Sequence, residues 1–374
     1  VNCLMGSATI KNPWTVEIET QDGIQTRTAK NIIIAAGGRP RVLPIPGIEE
    51  VGYYTSDTLW EIKQQPKTLL VIGAGPIGCE LAQSFQRLGS QVIMLDPAPH
   101  ILGREDADVI EHVTEQFKQD GIQLLSGSKP KAFTLKDGVK TVVIEGPDGE
   151  SEIEFDDMLM AVGREANVTG YGLDNLDINL DERGFIEVNE HLETSTPGVY
   201  AVGDVIGGYQ FTHVSAHEAW YASVNALFGH LKKFKADYSV IPWATYTDPQ
   251  VGRVGLNETD AKAKGIAYEV TKFDIAELDR AIVDQAATGF VKVLTVPGKD
   301  KILGATIVGA MAGELNAEFV LAMRHGLGLN KLLGTIHAYP TMMEANKYVA
   351  GEWKRNHAPQ GLLKLVEKYH SWLR

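Results

Sequence analysis

The distribution of apolar residues predicts an α/β fold built on a parallel, helix-covered sheet and followed by a domain of α+β character. Three observations predict it. From Thr68 onward, short apolar runs of strand type alternate with amphipathic helical patterns, the signature of βαβ units. A glycine turn, Gly73-Ala74-Gly75-Pro76-Ile77-Gly78, joins the first of these strands to the first helix. Beyond Ile241 the alternation gives way to strand pairs and one long helix. A length of 374 residues, at roughly 150 residues per domain, allows two or three domains. The formal net charge of -13 argues against nucleic acid or an anionic membrane as a partner, because either would need a basic patch.

Residues 14–20 alternate apolar and polar side chains, Asp22-Gly23 marks a turn, and residues 31–38 read as a continuously apolar strand ending in glycines. The Pro-rich run from Arg39 to Gly47 can be neither helix nor central strand, so it reads as an extended linker at a domain boundary. Leu69, Leu70, Val71 and Ile72 form a buried strand, residues 77–88 an amphipathic helix stopped by Gly89, and residues 91–95 the next strand. A second helix is expected from Glu105 to Gln119, with acidic residues in its first turn and Gly121 beyond its end. Residues 122–125, a hairpin-rich stretch to Phe155 and a buried strand at residues 158–162 follow.

A short strand at residues 199–202 precedes a helix beginning near His213. Residues 290–296 and 302–308 flank a Pro297-Gly298 hairpin, and residues 312–325 read as a long helix. Apolar residues at helical spacing after Pro359 predict a short amphipathic tail helix. No apolar run is long enough to span a bilayer. Behind Val1 there is no basic segment leading into an apolar core, so we expect no signal peptide and a start inside a longer protein. Two cysteines, Cys3 and Cys79, exclude a disulfide scaffold or a multi-cysteine zinc site and fit a reducing, cytoplasmic compartment.

The glycine turn carries chemistry because of its setting. In a strand–turn–helix context Gly73 permits the tight turn, and Gly75 lets backbone approach a pyrophosphate at the helix N-terminus. Gly78 lets helix and strand pack closely. Asp96 ends the following strand, eighteen residues past Gly78, where a carboxylate accepts hydrogen bonds from the adenosine ribose. It would repel a 2′-phosphate, and Pro97-Ala98-Pro99 brings no arginine, so NAD(H) is favoured over NADP(H). Glu80, two residues into the helix, reads either as a helix-dipole partner or as a functional acid. Cys79 reads as a small buried hydrophobe.

With these motifs the sequence resembles the flavoprotein pyridine nucleotide–disulfide oxidoreductases, the group of dihydrolipoamide dehydrogenase, glutathione reductase and mercuric reductase. Residues 31–40 resemble the family's ATG-x-RP strand, with Ala36 in place of the usual Thr and followed by Gly37. Residues 70–80 resemble its NAD turn, which implies that Glu80 lies beside the nicotinamide. Ala161-Val162-Gly163-Arg164 resembles the loop that closes over NAD. Val199-Tyr200-Ala201-Val202-Gly203-Asp204 resembles the second FAD motif, in which the aspartate bonds the FAD ribitol. His213 and His217 stand four apart at the start of the next helix, where a polar helix start is preferred to a metal pair because no third ligand is evident. No metal site is expected. Asp279-Arg280-Ala281 matches a family pattern and reads as a structural ion pair.

The resemblance implies residues 1–52 as a remnant of a FAD-binding domain, 53–165 as a Rossmann-type NAD-binding domain and 166–240 as the second FAD segment. Residues 241–355 would be an α+β dimerisation domain forming a homodimer, and 356–374 a helical tail. It further implies an NAD(P)H-dependent oxidoreductase with NAD and FAD as cofactors. Hydride would pass from NADH to flavin and on to a disulfide, a metal or another small-molecule acceptor, a small thiol among them.

Two departures bear on the acceptor. Where disulfide-reducing members carry a histidine before Pro-Thr, held by the glutamate that Glu344 matches, this chain has Tyr339, with His337 two residues earlier. A phenol with a pKa near ~10 is a poor proton shuttle at neutral pH, so Tyr339 either packs at the interface or serves the acceptor in another way. Mercuric reductases also carry a tyrosine there but end in a cysteine pair. The tyrosine leans the resemblance toward mercuric reductases, whereas the ending His370-Ser371-Trp372-Leu373-Arg374 counts against an expectation of mercury reduction. The family's N-terminal glycine turn and C-x4-C pair have no counterpart in the sequence. The alternative expectation is therefore a truncated NAD(H)-binding, dimerising module without redox activity.

Overall fold

The computed structural model describes all 374 residues, Val1–Arg374, and it divides into two compact units. One comprises Val1–Leu43, Thr55–Trp60 and Val162–Tyr238, the other Pro44–Tyr54, Glu61–Ala161 and Ser239–Arg374. The chain passes from one to the other between Leu43 and Pro44, inside the Pro-rich run.

In the first unit Ser7–Asn12, Thr15–Thr20 and Gly23–Thr28 form an antiparallel meander, turning at Asp22-Gly23 as the composition requires. The apolar run at residues 31–38 is shorter as a strand than expected. Only Ile32–Ile34 pairs, in parallel, with Val199–Ala201. Gly37, at φ +70, turns the backbone so that Gly38–Pro40 pairs antiparallel with Arg164–Ala166 instead. Ile34, Val199, Ala201 and Val205 anchor the core of this unit together with Leu173 and Ile186. The helix Thr212–Phe228 follows.

The second unit holds the parallel sheet. Asp157–Met160, Thr68–Ile72, Gln91–Asp96 and Gln123–Ser126 lie side by side in that order, all parallel. Leu69, Leu70, Val71 and Leu95 are fully buried, each stabilising the sheet by about 1.5–3 kcal/mol. The helix Pro76–Leu88 begins with proline in its first turn and ends on Gly89 at φ +106, the asymmetry that helix termini favour. The second helix starts at Ala107, not at Glu105, and runs to Asp120. Glu105 and Asp106 are held outside it because their buried carboxylates serve as ion-pair partners.

In the same unit the strands Pro242–Thr245, Gln250–Gly255, Ile302–Gly309, Phe290–Thr295 and Glu269–Asp274 form an antiparallel sheet in that order. Its core includes Val291, Val293, Ile307, Phe319 and Trp353, the last two from the helices Ala312–Arg324 and Glu344–Asn356. The tail helix forms over Gln360–Trp372 and buries none of its residues.

Candidate functional site

The glycine turn has the geometry its sequence context requires. Gly73 adopts φ +106, a conformation that side chains disfavour. A Cβ on Gly78 would sit 2.0 Å from the Gly73 carbonyl oxygen, whereas a Cβ on Gly75 would meet nothing within 4 Å. Gly78 is thus glycine for packing, and Gly75 leaves open space at a helix N-terminus. Its unpaired N–H groups favour an anion there. The residues fit the pyrophosphate of a dinucleotide.

Asp96 is held from the backbone: Ala74 N–H donates to Oδ2 (2.6 Å) and Ala98 N–H to Oδ1 (2.7 Å). Each oxygen keeps a second lone pair for a ribose hydroxyl. Glu80 accepts from the Tyr246 N–H at 2.8 Å. Burial pushes its carboxyl up, and that hydrogen bond opposes part of the rise. Three and seven residues further along the same helix, Gln83 exchanges hydrogen bonds with the Asp248 backbone and Arg87 pairs with the Asp248 carboxylate. Cys79 is fully buried and gives its thiol to Ala74 O. Burial pushes that thiol up, which leaves it inert.

Within the first unit Ala36, Gly37, Gly163, Gly203 and Asp204 come together. The Arg41 N–H donates to Gly163 O, and Asn167 donates through its side chain to Ala36 O and through its backbone to Gly37 O. Arg164 Nε donates to Asp204 Oδ2 at 3.0 Å and its Nη2 to Gly38 O at 2.7 Å. A Cβ on Gly38 would lie 2.9 Å from Glu165 O and 3.2 Å from Asp204 Cβ, so the strand end packs directly on the aspartate. Asp204 retains Oδ1 as an acceptor, a fit to a sugar-alcohol hydroxyl. Gly203, at φ +78, donates its N–H to buried Glu218 at 2.7 Å. Sequence reasoning missed Glu218, because a single acid inside a helix carries no spacing signal. Nor does the Ala161-Val162-Gly163-Arg164 motif signal that Arg164 pairs with Asp204, forty residues on. His217 Nε2 lies 3.2 Å from Asp237 O, and His213 stacks on Phe211.

Near the chain end the structure separates His337, Tyr339 and Glu344 into three pairings. His337 Nε2 meets Glu318 Oε1 at 2.9 Å, and Asn346 donates to the other Glu318 oxygen. Tyr339, 69% exposed, donates to Asp279 Oδ2 at 2.9 Å. That hydrogen bond and the Asp279 charge push the phenol further up. Glu344 accepts from the Thr341 N–H and from the Tyr348 hydroxyl. Asp279 is accordingly the acceptor for Tyr339, and the ion pair of that segment is Arg280 with Asp284. Asp279, Tyr339, Glu344 and Tyr348 line one cavity of about 260 Å³.

Residues 2–219 match the pyridine nucleotide-disulphide oxidoreductase family, and residues 241–350 match the dimerisation domain of that family. Mitochondrial dihydrolipoyl dehydrogenase of Caenorhabditis elegans is 36% identical over 346 residues, covering 91% of this chain and 69% of the relative. Mercuric reductase of Staphylococcus aureus is 33% identical over 347 residues, covering 93% and 62%. The solved structure of the HOCl-induced flavoprotein disulfide reductase RclA from Escherichia coli superposes with a TM-score of 0.84 at 27% identity, covering 92% of this chain and 78% of that one. No helix is long and apolar enough to cross a membrane. The chain belongs to the pyridine nucleotide-disulphide oxidoreductases, a family of NAD(P)H-dependent flavoproteins that use FAD, and it carries that family's dimerisation domain.

Proposed function

We propose that this chain oxidises NADH as a FAD-dependent oxidoreductase and passes the electrons to a small-molecule acceptor. The observation that carries the reading is the glycine turn, open at Gly75 and closed at Gly78, with Asp96 oriented by Ala74 beside it. Bound NADH and FAD would supply the hydride-transfer and two-electron redox chemistry.

Gly73, Gly75 and Gly78 would seat the pyrophosphate at the helix N-terminus, and Asp96 would accept the ribose hydroxyls and exclude a 2′-phosphate. Glu80 would border the nicotinamide and Gly163 would cover the dinucleotide. Ala36, Gly37, Gly203 and Asp204 would hold the ribitol side of FAD. Residues 1–52 and 166–240 serve the flavin on this reading, 53–165 the nucleotide and 241–355 a homodimer, with 356–374 as a tail. His337, Tyr339 and Glu344 would face the acceptor, and Tyr339, kept protonated by Asp279, would donate hydrogen bonds rather than shuttle protons. Two unpaired cysteines, Cys3 exposed and Cys79 buried, support a reducing compartment such as the cytoplasm.

Purified protein tests this directly. Yellow protein whose visible flavin absorbance bleaches on anaerobic addition of NADH is the expected outcome. Colourless protein that binds NADH, even after incubation with FAD, would overturn the redox reading and leave an NAD(H)-binding, dimerising module.

A further inference from the structure

Arg253 lies in the antiparallel sheet, on the strand Gln250–Gly255, and is 3% exposed. Its guanidinium sits 4.1 Å over the Trp243 ring. One terminal nitrogen donates to Arg104 O at 2.8 Å and to Glu105 Oε2 at 3.3 Å, the other to Asp260 Oδ2 at 3.1 Å. Trp243 Nε1 donates to the other Glu105 oxygen at 3.2 Å, and Asn257 donates to Arg104 O as well. The sheet therefore grips both the backbone and the side chain of residues 104–105.

Those two residues end a tight turn. Glu105 N–H donates to Leu102 O, and Leu102 N–H donates to Ala74 O at 2.9 Å. Ala74 stands inside the glycine turn and gives its own N–H to Asp96. An unbroken chain of short contacts thus runs from Arg253 through residues 102–105 to Ala74 and Asp96, all within one compact unit. Two local costs fall on this link. Leu102 holds φ +49, a strained conformation for a side-chain residue, and Arg253 Nε is buried without a hydrogen-bond partner. Apolar packing would avoid the second cost, so stability alone does not account for the arrangement.

We propose that Arg253 is a positioning residue for the dinucleotide: through the turn at residues 102–105 it fixes Ala74 and Asp96, and so sets affinity for the ADP-ribose part of NADH. This rests on placing NADH at residues 73–78. Calorimetric titration of the protein, residues 1–374, with NADH and with ADP-ribose tests it. Arg253→Met should weaken both ligands by the same factor, about tenfold, the size expected of coupling through one packed link. Arg253→Lys, which keeps the charge but loses the fork and the stack, should fall between. Phe319→Leu, a core substitution in the same sheet domain, should lower Tm without moving either Kd. If Arg253→Met fails to fold, Trp243→Leu removes the stack and the Glu105 hydrogen bond and should weaken both ligands likewise. Binding within twofold of wild type in a folded variant overturns the proposal and leaves the NADH assignment standing. Wild-type protein that binds neither ligand overturns both.

Discussion

At Asp96 the carboxylate is pre-aligned by two backbone N–H groups, from Ala74 and Ala98, so its charge lies where the adenosine ribose would sit. That charge would carry the discrimination between NADH and NADPH, since the following Pro97-Ala98-Pro99 offers no cation to a 2′-phosphate. Asp96→Asn keeps the shape and one acceptor oxygen but removes the repulsion. We expect the NADPH-to-NADH ratio of KM to fall about tenfold, equivalent to ~1.4 kcal/mol, when flavin reduction is followed with each nucleotide. An unchanged ratio would remove Asp96 from cofactor selection. At this scale the glycines were legible in the sequence, because a strand, a turn and a helix leave few ways to satisfy Gly73 and Gly78. The Glu318 partner of His337 was not, because it comes from the helix Ala312–Arg324, nineteen residues away from a histidine in a loop, and no local spacing rule joins the two.

Among the elements, the second helix of the parallel-sheet domain shows where local reading stops. Acidic residues before an amphipathic run signalled a helix start at Glu105, yet the helix begins at Ala107. The acids are spent on tertiary partners. Lys292, 1% exposed, holds Asp106 at 2.8 Å, Asp108 at 2.7 Å and Glu258 at 3.2 Å. Asp106 also receives the Glu258 and Thr259 N–H groups. Periodicity placed the strands and helices, whose burial follows from their own residues, but not these links, which depend on a strand nearly two hundred positions later.

Burial pushes Asp106 and Asp108 up, but Lys292, joined by the Thr259 and Glu258 N–H groups at Asp106 and by Lys272 at Asp108, outweighs it and holds both carboxyls below their ordinary range. A lowered folded pKa contributes stability above the unfolded value of ~3.9 that is lost as pH falls through the folded pKa. Lys292→Met should therefore cost about 3–5 kcal/mol at pH 7, where Asp106, Asp108 and Glu258 lose their buried cation. The gap from wild type should narrow as the pH drops below about 4 and those groups protonate. Urea unfolding across that range reads both effects, and a pH-independent gap would mean that packing, not charge, is what Lys292 contributes.

For the molecule as a whole, the decisive property is assembly. The segment matching the family's dimerisation domain leaves large apolar side chains in water: Ile282 at 56% exposure, Val283 at 73%, Met311 at 52%, Leu321 at 58% and Ile336 at 93%. Scattered singly, such residues are ordinary on a protein surface. In a segment that matches a dimerisation domain, they are side chains that a subunit interface would remove from water, at roughly 25 cal/mol per Å². Ile336 stands beside His337, whose side chain is almost wholly buried against Glu318, and three residues before Tyr339, so a contact there would place the residues proposed to face the acceptor at a shared boundary. Sedimentation at micromolar concentration should give twice the 40.8 kDa chain mass. Ile336→Asp combined with Leu321→Glu should shift the protein to monomer, while NADH titrates as in wild type because neither residue touches the glycine turn. Wild-type protein that sediments as a monomer would detach the dimerisation domain from dimerisation in this chain, and His337, Tyr339 and Glu344 would then have to act within a single subunit.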